Sequence, residues 1–215
     1  MSGIRAVAFD FNGTLSNDEP ILYAVYRDLF SEYGRPLPES DYYAALAGLA
    51  EEVIIGTWLD VQGDALAALV EERIARYVAR AGCGETVSAA LREAVAYAAK
   101  HVPVAVVSGA FRREIEPVLT AAGLDDYVTI VVAADDVERG KPDPEGYLYA
   151  ISALDGDLRP DEVLAFEDTQ AGVASAKAAG VYCVALLGTH SAERLRDADE
   201  LVEGIDVALV ERLLA

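Results

Sequence analysis

The sequence predicts an α/β protein: a parallel sheet covered by helices on both faces, with a small all-helical insertion after the first strand. Three observations carry this. Short continuous apolar runs recur between helical patterns, one stretch of the chain lacks such runs altogether, and 53% of the 215 residues are apolar. A chain of that length and composition buries a sizeable core, enough for one large domain plus an insertion. Apolar runs that are continuous rather than alternating read as strands buried on both faces.

The first run is Ala6-Val7-Ala8-Phe9, within a few residues of Met1, so no signal peptide is expected. From about residue 16 to 82 only helical periodicity appears, as in Ile21, Leu22, Val25 and Leu29, or Leu66, Leu69, Val70 and Ile74. The predicted division is therefore a core of residues 1–16 and 83–215 and a helical unit of residues 17–82. Asn17 to Pro20 mark the departure and Gly82 and Gly84 the return, both expected to act as hinges. Eight of the 17 aromatic residues fall in this unit, mostly as its core. Further strands are expected at Val104-Ala105-Val106-Val107, Ile130-Val131-Val132, Val163-Leu164-Ala165-Phe166 and Tyr182-Cys183-Val184-Ala185-Leu186. Between them, helices are predicted over 111–122, stopped by Gly123, over 145–154 after Pro142 and Pro144, and from near 170 to a stop at Gly180.

Charge excludes several function classes. With 17 Lys plus Arg against 37 Asp plus Glu, the chain repels nucleic acid and anionic membrane surfaces, and no apolar run approaches a membrane span. Neither cysteine, Cys83 or Cys183, belongs to a metal-binding pattern, and both are expected as buried free thiols. A soluble cytoplasmic protein, monomeric or a simple homo-oligomer, is the expectation.

Four clusters sit at predicted strand ends or in the loops beyond. Phe9-Asp10-Phe11-Asn12-Gly13-Thr14-Leu15 delivers a carboxylate at the carboxyl edge, where open α/β sheets bind ligands; an Asn-Gly turn beside a solvated Asp is the plain alternative. Val106-Val107-Ser108-Gly109-Ala110 places a hydroxyl and a glycine before a helix, a setting that suits an anion and equally a helix cap. Gly140-Lys141-Pro142-Asp143-Pro144 fixes one of only three lysines in a proline-braced loop. Phe166-Glu167-Asp168-Thr169-Gln170-Ala171-Gly172 ends a buried strand with adjacent acids, which repel unless a cation compensates them. Together they supply a nucleophile or metal ligand, an anion-binding hydroxyl, a cation and further carboxylates. Oxygen donors without His or Cys point to Mg²⁺ rather than Zn²⁺.

In these four motifs and their order, and in the helical insertion after Leu15, the chain resembles the haloacid dehalogenase superfamily over nearly its full length. The resemblance is to the capped branch that includes β-phosphoglucomutase and phosphoglycolate phosphatase, with its Rossmann-like core. It implies a hydrolase of a small phosphorylated metabolite. Asp10 would attack phosphorus to form an aspartyl-phosphate that water then cleaves. Mg²⁺ would be held by the Asp10 carboxylate, the Asn12 carbonyl and the Asp168 carboxylate, with Glu167 acting through water. Ser108 and neighbouring backbone N–H groups, as at Gly109, would hold phosphate oxygens, and Lys141 would neutralise charge. The helical unit would be a cap that closes over the substrate.

The chain departs from this pattern at Asn12, where active members of the branch carry a second Asp as acid and base. Asn has no titratable proton, a loss worth ~10²–10⁴-fold in rate. Three readings stay open: Asp18 or Glu19 substitutes, the enzyme acts on a substrate with a good leaving group or holds a persistent aspartyl-phosphate and turns over slowly, or the protein binds a phosphate ligand without catalysis. A phosphomutase and a metal-free dehalogenase rank lower. Asn12-Gly13 is also a deamidation-prone pair. In the insertion, Arg27, Arg35, Arg73, Arg76 and Arg80 are candidates for contacting an anionic leaving group, and Gly48 with Glu51-Glu52 for a loop presented to the site.

Overall fold

The computed structural model describes residues 3–154 and 157–215; residues 1–2 and 155–156 of the predicted core segment lie outside the described residues. Its centre is a six-stranded parallel sheet in the order β3-β2-β1-β4-β5-β6. The strands are β1 (Ala6–Phe9), β2 (Val104–Val107), β3 (Ile130–Val132), β4 (Val163–Glu167), β5 (Tyr182–Leu186) and β6 (Glu200–Val202). The first five follow the apolar runs of the sequence, β4 extending one residue further. Strand β6 was not anticipated: it is a three-residue, partly exposed edge strand with no apolar run to announce it.

Alternation along the strands sorts the two faces by size. Val7, Phe9, Val104, Val106, Leu164, Phe166 and Val184 point to one face, beneath α5 (Ala89–Ala99), α6 (Arg112–Ala122) and α9 (Val207–Leu214). The Phe9 and Phe166 rings stack there with centroids 5.0 Å apart. Ala6, Ala8, Ala105, Ala165, Cys183 and Ala185, with Val107, Val132 and Val163, point to the other, where mostly small side chains let α7 (Glu145–Leu154) and α8 (Gln170–Ala178) approach closely. Helices α6, α7 and α8 match the expected segments, and Gly123 and Gly180 take the positive φ that ends a helix. Helices α5 and α9 had not been assigned from the sequence.

Between β1 and α5 the chain is helical, as expected: α1 (Glu19–Glu32), a short turn α2 (Glu39–Asp41) running into a π-helical turn (Tyr42–Leu46), α3 (Glu51–Leu59) and α4 (Gly63–Ala81). This inserted helical cap shares one continuous apolar cluster with the large-residue face of the sheet. Among its aromatics, Tyr26, Phe30, Tyr42 and Tyr77 are buried, whereas Tyr33 is exposed. The two crossings lie side by side: Asn17 N–H donates to Thr86 O at 2.9 Å, and Ser16 Oγ to Thr86 Oγ1 at 2.7 Å. Gly84 is required, because a Cβ there would lie 2.7 Å from Ala122 N at the end of α6. One expectation is corrected: Cys83, beside that return point, is exposed, and only Cys183 is buried. No single helix among the described residues is long and apolar enough to cross a membrane.

Candidate active site

Register brings the motifs together. Phe9 pairs with Val106 on one side and Phe166 on the other, so the residues just past those positions emerge at adjacent strand ends. Asp10, Ser108, Glu167 and Asp168 all end buried at this carboxyl edge. The loop after β3 returns Lys141 to the same place. Its Nζ lies 2.5 Å from Asp10 Oδ1, 2.7 Å from Glu167 Oε1 and 2.9 Å from Val107 O.

One ammonium therefore pairs with two carboxyls of a buried cluster of three. Burial works against the Lys141 charge, yet Asp10 and Glu167 outweigh it and hold its pKa above the usual value. Burial and the Asp10 charge push Glu167 and Asp168 upward, Lys141 opposing the shift at Glu167. Ligand oxygens of Asp10, Glu167 and Asp168 lie within 4.8 Å of one another, the one such group found among the described residues. Two residues given no role from the sequence position them: Thr14 Oγ1 donates to Asp168 Oδ1 at 3.3 Å, and Tyr147 O–H to Glu167 Oε1 at 2.6 Å. Thr14 lay inside the first motif; Tyr147 sits on α7 with no local signal of a role. Glycine is required twice, since a Cβ on Gly13 would meet Asp168 Oδ2 at 2.0 Å and one on Gly172 would meet Glu167 Oε2 at 1.8 Å.

Those same two oxygens, Asp168 Oδ2 and Glu167 Oε2, are buried without a hydrogen-bond partner in the protein. Unpartnered buried carboxylate oxygens are costly, and a hard divalent cation bound by oxygens satisfies them. The donor set fits such a cation.

Asn12 takes a different path. Its Nδ2 donates to Asp18 Oδ2 at 3.0 Å, and the Tyr77 hydroxyl donates to the same oxygen. Gly13 N–H donates to Asp18 Oδ1 at 3.2 Å and to Ser16 O at 2.8 Å, which occupies the nitrogen that deamidation of Asn12 would require. Asp18 is fully buried, and burial raises its pKa to about 6.

A cavity of about 370 Å³ opens from Asp10 toward the cap, lined at the core end by Asn12, Ser108, Gly109 and Lys141. Ser108 Oγ accepts from Ala110 N–H at 3.0 Å, leaving its own proton for a ligand. The cap contributes Glu19, Tyr26, Tyr42, Gly48, Glu51, Glu52 and Arg73. Gly48 has φ +84° and abuts Thr169 of the core, where a Cβ would lie 3.0 Å from its methyl. Of the five cap arginines only Arg73 reaches the cavity; Arg27 and Arg80 pair with Asp28, Arg76 with Glu32 and Glu72, and Arg35 is exposed.

Comparison with known proteins agrees with this geometry. The model of the haloacid dehalogenase-like hydrolases matches residues 4–180. The chain is 34% identical to validoxylamine A 7'-phosphate phosphatase of Streptomyces hygroscopicus subsp. limoneus, over 94% of each chain. It is 31% identical to the phosphorylated carbohydrates phosphatase of Thermotoga maritima, over 97% of this chain and 94% of that one. In fold it superposes on CbbY of Rhodobacter sphaeroides in complex with phosphate, at TM-score 0.81 and 24% identity over 94% of each chain. It also matches a β-phosphoglucomutase of Clostridium difficile, at TM-score 0.83 and 17% identity over 98% and 97% of the two chains. The chain belongs to the haloacid dehalogenase-like hydrolases, in the capped branch.

Proposed function

We propose that this family member is a magnesium-dependent phosphohydrolase of a small phosphorylated metabolite, working through an aspartyl-phosphate on Asp10. The observation that carries the reading is the position of Asp10: it stands against Lys141 at the core end of the cavity, with the unpartnered oxygens of Glu167 and Asp168 behind it. Mg²⁺ fits the Asp10 carboxylate, the Asn12 carbonyl and the Asp168 carboxylate, with Glu167 nearby, and when bound would supply charge neutralisation for the phosphoryl group.

In this reading the free Asp10 oxygen attacks phosphorus, and Lys141 offsets negative charge on both nucleophile and phosphoryl group. The Ser108 hydroxyl and the backbone at Gly109 receive phosphate oxygens. Residues 17–82 form the cap unit over residues 1–16 and 83–215, so that closure shields the reaction from bulk water. The cap end of the cavity offers Glu19, Tyr42, Glu51, Glu52 and Arg73, hydrogen-bonding groups suited to a leaving group rich in hydroxyls. Relatives named for validoxylamine A 7'-phosphate and for phosphorylated carbohydrates support a phosphorylated carbohydrate as the substrate class.

A second reading, a phosphate-ligand-binding protein without turnover, is favoured by one observation: the Asn12 side chain carries no titratable proton and its amide is committed to Asp18. Incubation with p-nitrophenyl phosphate and Mg²⁺, followed by product release and intact mass, separates the two. Turnover in the wild type with a loss of ~10³-fold or more in Asp10→Asn is expected. Neither product nor covalent phosphate in the wild type would favour the second reading.

A further inference from the structure

Proton transfer in this site lacks an owner, since Asn12 cannot provide it, and two acids follow closely in the chain. The structure separates them. Asp18 is fully enclosed, its two oxygens accepting from Asn12, Gly13 and Tyr77, and it does not line the cavity. Glu19, the next residue, lines the same cavity as Asp10, Asn12, Ser108 and Lys141. It opens α1, immediately before Pro20, and its Oε2 accepts from the Tyr42 hydroxyl at 3.1 Å across the cavity wall. No ion pair of Glu19 is found among the described residues, unlike Glu51 and Glu114, which both pair with Arg73.

We propose that the Glu19 carboxyl, which lines the same cavity as Asp10 and is held by Tyr42, is the acid and base of the reaction in place of residue 12. This rests on the phosphohydrolase reading above. In the first half-reaction an Asp10 oxygen bonds to phosphorus, the bond from phosphorus to the leaving oxygen breaks, and that oxygen takes the proton of Glu19. The alcohol departs and Glu19 is left as carboxylate. In the second, a water oxygen bonds to phosphorus while Glu19 takes one of its protons. The bond from phosphorus to Asp10 breaks, which releases phosphate and restores both residues.

The electrostatics agree. Burial, and next the Asp18 charge, raise the Glu19 pKa to about 7, where both of its forms are accessible near neutrality. The groups facing it are Asp10 and Asp18 on the strand-to-helix turn, Tyr42 and Tyr43 after α2, Arg73 on α4 and Asp168 after β4. Arg73 and the Tyr42 hydrogen bond lower the value, and the acids raise it.

The test compares wild type, Glu19→Gln and Asp18→Asn, with Mg²⁺, on p-nitrophenyl phosphate and on an alkyl ester such as a hexose phosphate. Gln preserves an acceptor for Tyr42. Glu19→Gln is expected to lose ~10²–10⁴-fold on the alkyl ester. On p-nitrophenyl phosphate, whose leaving group needs no proton, it should still phosphorylate and then accumulate phosphorylated Asp10, seen by intact mass. The wild-type kcat/KM for the alkyl ester should fall as pH rises through about 7, a limb absent from Glu19→Gln. Should Glu19→Gln not fold, the wild type carries the test alone. Weak dependence of its rate on leaving-group basicity, together with that falling limb, supports the assignment, and steep dependence without the limb overturns it. Equal turnover by Glu19→Gln, or the same losses appearing in Asp18→Asn instead, overturns the role of Glu19 while leaving the phosphohydrolase intact. A wild type that neither turns over nor gains phosphate sinks both.

Discussion

Two buried charge clusters lie at opposite ends of the cavity, and their composition differs in an instructive way. At the core end one cation, Lys141, pairs with Asp10 and Glu167 in a cluster that also holds Asp168, and the groups left unpartnered are carboxylate oxygens. At the cap end Arg73 is buried between Glu51, at 3.1 Å, and Glu114 of the core helix α6, and the unpartnered atoms include a donor, Arg73 Nε, beside the Tyr26 hydroxyl. The first cluster is short of positive charge and suits a cation. The second holds its cation against two carboxyls and ties the cap to the core, alongside the Arg113 to Glu71 pair at 2.6 Å.

The contrast breaks most clearly at Arg73. Its removal leaves Glu114, which is fully buried, without its countercharge, so Arg73→Met should destabilise the protein by ~3–5 kcal/mol in urea unfolding. Burial already raises the pKa of both carboxyls, and without the arginine they would protonate to escape the charge. The loss should therefore be larger at alkaline than at mildly acidic pH. Replacing Glu51 and Glu114 by Gln in the same variant should recover much of it; no recovery would show that Arg73 acts through packing, over the Tyr26 and Tyr77 rings, rather than through charge.

At the core end the expected change is a gain. Mg²⁺ at a hundredfold excess over its dissociation constant should stabilise the fold by ~2.7 kcal/mol, read as an upward shift in melting temperature. Asp168→Asn should abolish the shift and Arg73→Met should preserve it. A shift that survives Asp168→Asn would place the ion elsewhere.

A further effect concerns pH in the absence of metal. Asp18 and Glu19 have folded-state values of about 6 and about 7, against roughly 4 for the unfolded chain. Between those limits the folded state holds more protons than the unfolded one, so stability falls as pH rises from roughly 4 to 7 and then levels off. Glu19→Gln should flatten the upper part of that fall. An unchanged slope would mean that Glu19 titrates alike in both states.

Much of this architecture was legible in the amino-acid order. The first five strands were readable because each contains a continuous apolar run, and three of the four site motifs because they end such a run with polar groups; the fourth, around Lys141, lies in the loop beyond β3. Strand β6 escaped because its partly exposed Glu200-Leu201-Val202 offers no continuous apolar run, whereas the equally short edge strand β3 is apolar throughout. Cys83 was misjudged because an apolar neighbourhood in sequence does not ensure a buried one in space. The order of residues also determined which chemistry was available: acids, one loop lysine, and an asparagine where a proton carrier was expected. Only the tertiary structure decided which of two adjacent acids faces the cavity, which of five arginines is buried, and that Tyr147 braces Glu167. Those outcomes turn on side-chain direction and on partners many residues away, such as Tyr42 for Glu19, Tyr77 for Asp18 and Glu114 for Arg73. Local periodicity carries no information about such partners, because burial and pairing are settled only when the cap packs against the sheet.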